Sequence, residues 1–426
     1  MIKRFFTAIA CVFLFAALLT VGALASSSTR QISVGGETIN GSADAPGYAR
    51  VYNSPTDRVE AWTNTNFDPN RDPWHIKWDG STLTLKEVSF DANKSSAASG
   101  IVYNYGSLTI ELIGDNTIIG YAGQYGGASP AIAVNHGGLT INGEGSLDVT
   151  GGGIKGTYNV NRSYGIYANG DVTVNGGTIT ATGGYVQDDV SHPVSYGIFA
   201  EGGVNVTAGD VTAVGGESEG VSYGILTDNS VSVSGGELTA TGGKSAGESF
   251  GILADSVNVT GGDVYVNGGE TTSASYGIRA GSVEVTGGFV YANDSGSATV
   301  TATIGSSYGI YSMGSVTIGD PNTYTGEVNA YGAQATGEGS DSYGIYARGN
   351  VVTRGFAKVT ATGVEAGNDS FGISAEGNVE MSGNSTVDAS GGSFGIRAGS
   401  GVTWSGYGEV TANGGSFGIS AEGTSP

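Results

Sequence analysis

Asp188, Asp189 and His192 form the densest group of proton-handling side chains in this 426-residue sequence. Glycoside hydrolysis needs two carboxyl groups within about 10 Å of each other, and this is the one tempting cluster for it. It falls in an enlarged segment between repeats, where a hydrophilic turn explains it equally. A lyase would instead need carboxylates that hold calcium and an Arg or Lys that abstracts a proton. Arg279 and Arg397 occupy the same offset in their repeats but stand four repeats apart, about 19 Å at β-sheet spacing. Arg348 sits two positions further along its own strand, and no Arg–Lys pair with flanking carboxylates stands out. These cations read as solvated surface. His75 and His136 are isolated in sequence, which leaves no histidine metal site or catalytic triad to assemble.

Acidic residues recur in a more regular way. Glu217 and Glu219, Glu248, Glu270, Glu338 and Asp341, and Glu365 and Asp369 all lie just before a repeated Ser-[Tyr/Phe]-Gly-Ile sequence. Stacked repeats bring such residues to one edge, where like charges about 4.8 Å apart repel by roughly 1 kcal/mol in water. A bound cation relieves that repulsion, so Glu217, Glu219, Glu338, Asp341, Glu365 and Asp369 are the expected calcium ligands; splaying of the loops relieves it as well. The Gly-Gly pairs lack the Gly-x-Asp spacing of calcium-binding nonapeptide repeats.

Aromatic residues suggest binding. The residue after the repeated Ile is Tyr167, Phe199, Leu226, Leu253, Arg279, Tyr311 and Tyr346 in successive repeats, and Tyr265 and Tyr291 hold equivalent outward places on a later strand. Rows of exposed rings stack against sugars or protein partners; β-propensity on half-exposed strands would fill them with the same residue types. Carbohydrate is the expected partner, with a protein partner, self-association or a covering segment as alternatives.

The elements that carry these residues come from one repeat. Ser-[Tyr/Phe]-Gly-Ile begins at Ser163, Ser195, Ser222, Ser249, Ser275, Ser307, Ser342, Ser370, Ser393 and Ser416, with looser versions at Ser99 and Ser129. Each unit holds three short alternating segments, as in Tyr164 to Ala168, Val172 to Val174 and Ile179 to Ala181, with Gly pairs after the second and the third, here Gly176-Gly177 and Gly183-Gly184. Alternation places Tyr164, Ile166 and Ala168 on one side, so the aromatic position is expected to stack inside the coil with the isoleucines. A unit this short cannot bury its own core, which argues against an array of sandwiches. The prediction is an all-β, right-handed parallel β-helix (a solenoid) of about a dozen coils, three short strands per coil. Residues 26–75 read as an N-terminal cap region and 76–426 as the helix, with 76–98 a first, irregular coil. Trp62, Trp74 and Trp78 are expected in the cap core. The sequence stops at Pro426 before its last coil's second strand, which predicts further coils in a longer chain.

Residues 1–25 read as a signal peptide: Lys3 and Arg4, an apolar run from Ala8 to Leu24, and small residues at Ala23 and Ala25. Cleavage there leaves 39 acidic against 15 basic residues (17 less Lys3 and Arg4), a charge of −24. That argues against nucleic acid or an anionic membrane surface as partner. Cys11, the one cysteine, leaves with the leader, so no disulfide or thiol chemistry is expected. Location outside the cell, secreted or on its surface and without membrane insertion after cleavage, follows.

The run Gly106-Ser-Leu-Thr-Ile-Glu-Leu-Ile-Gly-Asp-Asn-Thr-Ile118 and the units of the form Ser-Tyr-Gly-Ile-Tyr-Ala resemble secreted pectate-lyase-like β-helix proteins of the carbohydrate-binding domain type, over roughly 76–426. The resemblance implies calcium and polysaccharide binding without strong catalytic expectations. The Gly-His-Gly and Arg-Ile-Lys sequences of β-helix polygalacturonases are absent. The expected function is a non-catalytic extracellular module that binds carbohydrate or mediates adhesion; a polysaccharide lyase or hydrolase of the same fold, or a ligand-free stalk, is the alternative.

Overall fold

The computed structural model describes residues 29–52, 57–62, 67–95, 100–122, 127–155, 161–187, 193–293, 301–321, 326–364 and 366–422. The 1–25 leader, Asp188, Asp189, His192 and Glu365 lie outside them.

The chain is nearly all β, a β-solenoid of about ten turns in stacked parallel coils. Side chains that repeat at fixed offsets in sequence pair in register in space. Ile166 pairs with Ile198, Ile198 with Ile225, Ile225 with Ile252, and the file continues to Ile419. Second strands stack through Val172, Val204, Val231 and Val257, and third strands through Ile179, Val211, Leu238 and Val264. As far as Ile396 these aliphatic side chains are almost fully excluded from solvent and line one continuous lumen, which opens at Ile419 in the last described coil. Alternation puts Thr, Ser and Asn outward between them, so each strand is specified by its own period.

The start of the chain is built differently. Arg30–Val34 and Glu37–Gly41 form an antiparallel hairpin, and Arg30–Val34 also crosses antiparallel onto Ile101 and Val102. Gly47–Tyr52 pairs antiparallel with Arg58–Ala61 and with Ile76–Trp78. Parallel stacking begins at Thr82–Lys86, which pairs antiparallel with Ile76–Trp78 on one side and parallel with Leu108–Ile113 on the other. The hairpins thus cover strand edges that the first coil would otherwise leave open. Trp78 is fully buried there, its Nε1 donating to the Arg30 carbonyl at 2.9 Å. Trp62 and Trp74 are half-buried, in an outer cluster with Tyr48 and Phe67, rather than in the cap core.

The aromatic ladder corrects the reading from alternation. Its rings stack in register from Tyr164 through Tyr196, Tyr223, Phe250, Tyr276, Tyr308, Tyr343, Phe371 and Phe394 to Phe417, with centroids 4.8–5.7 Å apart. None of these rings belongs to the luminal cluster; Phe250 and Tyr276 are buried in a second one, with Tyr311. The cause lies at the serine and glycine on either side of the ring. Ser195 Oγ donates to the Gly184 carbonyl at 2.8 Å and accepts from the Gly216 N–H at 2.9 Å; Ser222 and Ser249 repeat the arrangement. A Cβ on Gly183 would lie 2.2 Å from Ser195 Oγ, and one on Gly165 would lie 2.8 Å from the Thr182 nitrogen. Serine and glycine therefore face the end of the third strand, the ring between them faces away, and alternation resumes only at Ile166. The buried hydroxyls are all bonded, as burial demands.

Candidate functional site

The first-strand outward file exists as the spacing predicted. Tyr167, Phe199, Leu226, Leu253, Arg279, Tyr311 and Tyr346 are successive register partners. It is less exposed than expected, because the ladder lies beneath it. Phe199 packs on Tyr164 and Tyr196 at 5.9 and 5.3 Å, and Tyr311 stands edge-on to Tyr276 and Tyr308 at 5.8 and 5.1 Å. Tyr311 is only 8% exposed, so it anchors the layer rather than projecting from it. Tyr346 stacks on Tyr311 at 5.1 Å and stays half-buried.

Carboxylates from the following coil hold the file's hydroxyls. Tyr167 donates to Glu201 Oε1 at 2.8 Å, and Tyr346 donates to Glu376 Oε1 at 2.5 Å. Burial, then the bond to Glu201, pushes the Tyr167 hydroxyl up to about 12. Burial and Glu376 raise that of Tyr346 in the same way. Rings fixed at both ends present their edges and outer faces without losing side-chain entropy on contact.

Arginines intrude on the same layer. The Arg279 guanidinium lies over Tyr276 at 5.3 Å, Tyr311 at 5.6 Å and Phe250 at 5.8 Å, within cation–π range. Its Glu248 partner is 3.7 Å away, and its Nε is buried without a hydrogen-bond partner. Arg348, one coil beyond Tyr311, is exposed and lies 5.9 Å from that ring. Arg397 is four register steps from Arg279, as expected, and bonds Glu422 through both Nε and Nη2.

A second aromatic platform sits on the third-strand face. Tyr265 and Tyr291 stack at 5.0 Å with an 8° interplanar angle. Phe289, which sequence reasoning did not single out, is 40% exposed between Asp263 and Glu327 in the register. It occupies a place filled elsewhere by Glu237 and Lys358, so the repeat by itself gave no sign of a ring there. Burial raises the Tyr265 hydroxyl, with Asp263 and Glu237 adding to it.

The acidic loop residues are spread along the edge. Glu217 and Glu219 are exposed on either side of buried Ser218, which bridges in parallel to Val186 and Ser245. Lys244 pairs with Glu270 at 2.9 Å, supplying a cation within this edge. Glu338 is exposed. Asp341 accepts from the Tyr343 hydroxyl at 2.9 Å, from Asn368 Nδ2 at 2.9 Å and from the Asp369 N–H at 3.1 Å. Among the described residues, no three Asp, Glu, His or Cys side chains gather where they could hold a metal ion. His136 is exposed, while His75 Nδ1 accepts from the Val51 N–H at 2.9 Å. No described helix is long and apolar enough to cross a membrane.

What the arrangement can do chemically is present rigid rings, flanked by carboxylates and guanidinium groups, along two outer faces of a rod. Comparison of the chain with protein-family models, with curated proteins and with solved structures gives no match.

Proposed function

We propose that this chain is a non-catalytic extracellular or cell-surface β-helix that binds carbohydrate, or mediates adhesion through it, on its outer aromatic faces. The observation that carries the reading is the file from Tyr167 to Tyr346: Tyr167, Phe199 and Tyr346 half-buried in a second layer that Tyr311 anchors, with Tyr167 and Tyr346 tied by their hydroxyls to Glu201 and Glu376. Sugar rings have apolar faces and polar rims, and a preordered aromatic surface flanked by carboxylates matches both. Tyr265, Tyr291 and Phe289 offer a second surface of the same kind. The leader-like residues 1–25 and the acidic composition favour work outside the cell. Absence of catalysis is favoured by the engagement of the carboxylates nearest the file, Glu201 and Glu376, with tyrosines. The resemblance to pectate-lyase-like carbohydrate-binding proteins points the same way, and calcium enters the proposal through the acidic loop edge.

The test is a pull-down of the purified protein on insoluble cellulose, pectin and mucin, with calcium or with chelator, assaying the supernatant for released or unsaturated sugar. Retention without release, lost in Tyr346→Ala, is expected. Released sugar sinks the non-catalytic reading, and retention on none of the three sinks the carbohydrate reading.

A further inference from the structure

On the third-strand face one outward file runs Asp210, Glu237, Asp263, Phe289, Glu327 and Lys358 in register, one residue per coil. Register partners in neighbouring coils lie about 4.8 Å apart, so each charge in the file meets the next. One carboxylate is neutralised from within it: Glu327 receives the ammonium of Lys358, from the following coil, at 2.9 Å. The coil after Asp263 carries Phe289 where that lysine would stand, and Asp210 and Glu237 are each followed by another carboxylate. Among the described residues, no Lys or Arg pairs with Asp210, Glu237 or Asp263. Three like charges in a row repel, and no described cation offsets it. Rings stand directly beside them. Phe289 is 40% exposed, and no described ring stacks on it. Two residues further along the same strands and on the same face, Tyr265 and Tyr291 stack on each other at 5.0 Å. Burial and then the charges of Asp263 and Glu237 raise the Tyr265 hydroxyl, which sets both carboxylates beside that ring.

We propose that this face takes a sugar bearing a protonated amino group, its ring against Phe289 and its ammonium at Asp263. Glu237 and Asp210, next along the file, receive further ammonium groups of the same polymer. The inference rests on the carbohydrate reading above and narrows the ligand of its second surface. Lys358 on Glu327 shows the arrangement that the file already makes, an ammonium from one coil held by the carboxylate before it. At Asp263 a ring occupies the place of that lysine, so the ammonium has to come from outside the chain. Beside Phe289 it gains from the ring face as well as from the carboxylate. A neutral sugar leaves the three charges facing one another, and an acidic sugar adds a fourth. A lysine side chain brings its ammonium on a stem whose rotamer freedom is lost on contact. An amino sugar carries the ammonium on the ring itself, so both groups arrive as one rigid unit.

The experiment compares binding of the full chain to chitosan, to the same polymer after N-acetylation and to polylysine, immobilised at equal density. It is run at about 0.15 M salt, where a Debye length of about 8 Å screens the general attraction of an acidic chain to a polycation. Chitosan is expected to bind at least about tenfold more tightly than the other two. Asp263→Asn and Phe289→Ala are each expected to weaken chitosan binding about threefold or more. Phe289→Ala leaves the charge unchanged, so its loss reports a seated sugar rather than bulk attraction. Glu284→Gln removes the same charge as Asp263→Asn from an exposed place on the second-strand face and is expected to change nothing. Equal binding to the acetylated polymer, an undiminished Phe289→Ala, or Asp263→Asn no weaker than Glu284→Gln overturns the amino-sugar assignment. Polylysine held as tightly as chitosan, with the same losses in the variants, overturns it in favour of a basic peptide. In each case retention on cellulose, pectin or mucin keeps the carbohydrate reading standing, and retention on no sugar polymer overturns both.

Discussion

The lumen and the aromatic layer outside it are both files of repeated side chains, yet they are held by different physics. Luminal Ile, Val, Leu and Ala are shut away from water by the coil itself and need nothing but volume. The aromatic layer is buried largely by its own members: ladder rings cover each other's faces, the file from Tyr167 to Tyr346 covers their edges, and Val221 and Ala274 pack against it. Polar atoms remain at its rim, where Glu201, Asp341 and Glu376 bind hydroxyls. The lesson is that a solenoid can separate stability from recognition within one strand. Ile310 holds the coil, while Tyr311, the next residue, serves the outer layer.

The comparison is broken most severely from inside. Ile252→Ala leaves a hole in the lumen and should cost about 2–5 kcal/mol, seen as a large fall in thermal midpoint. A loss under about 1 kcal/mol would mean that the lumen is loosely packed there. Next comes the hinge between the two layers. Ser249→Ala strips the Gly243 carbonyl and the Gly269 N–H of their buried partner and should cost about 1–3 kcal/mol, measured by denaturant unfolding. The aromatic layer should give way by a comparable amount: Tyr276→Leu removes two ring stacks worth about 0.5–1.5 kcal/mol each beyond the lost area, a loss that the same denaturant unfolding should place beside that of Ser249→Ala.

Titration separates the regions further. Tyr167 and Tyr223 are raised to about 12, in each case first by burial, so the fold prefers their neutral forms. Below pH 10 that contribution is complete. Above it, the unfolded chain releases protons that the fold retains, and stability falls until about pH 12. Phenolate absorbance should therefore appear late and together with unfolding. The cap has the opposite sensitivity. Burial lowers His75, with Arg50 and Lys86 adding and Glu87 opposing, and its Nδ1 must stay unprotonated to accept from Val51. Its contribution is complete above pH 6.5 and is lost as pH falls below it, which hydrogen exchange at Val51 should report as a small, local effect that His75→Gln abolishes.

The sequence by itself determined the architecture, because a parallel coil repeats its neighbour's needs at the same offset: the Ile file, the Val files of the second strands and the Gly pairs could be read without coordinates. It determined which residue follows the Ile, and so the outward file with Arg279 and Arg397 four coils apart. Tertiary structure decided what those positions face. Strict alternation sent the ladder inward with Ile166; the close approach of Ser195 and Gly183 turned it outward, a constraint set by chain segments that meet only after the coil has closed. The same closure buried Tyr311 and placed Arg279 and Arg348 on either side of it. Phe289 stayed hidden for a related reason, since exposure depends on the neighbours in the coils before and after, and no local pattern records them.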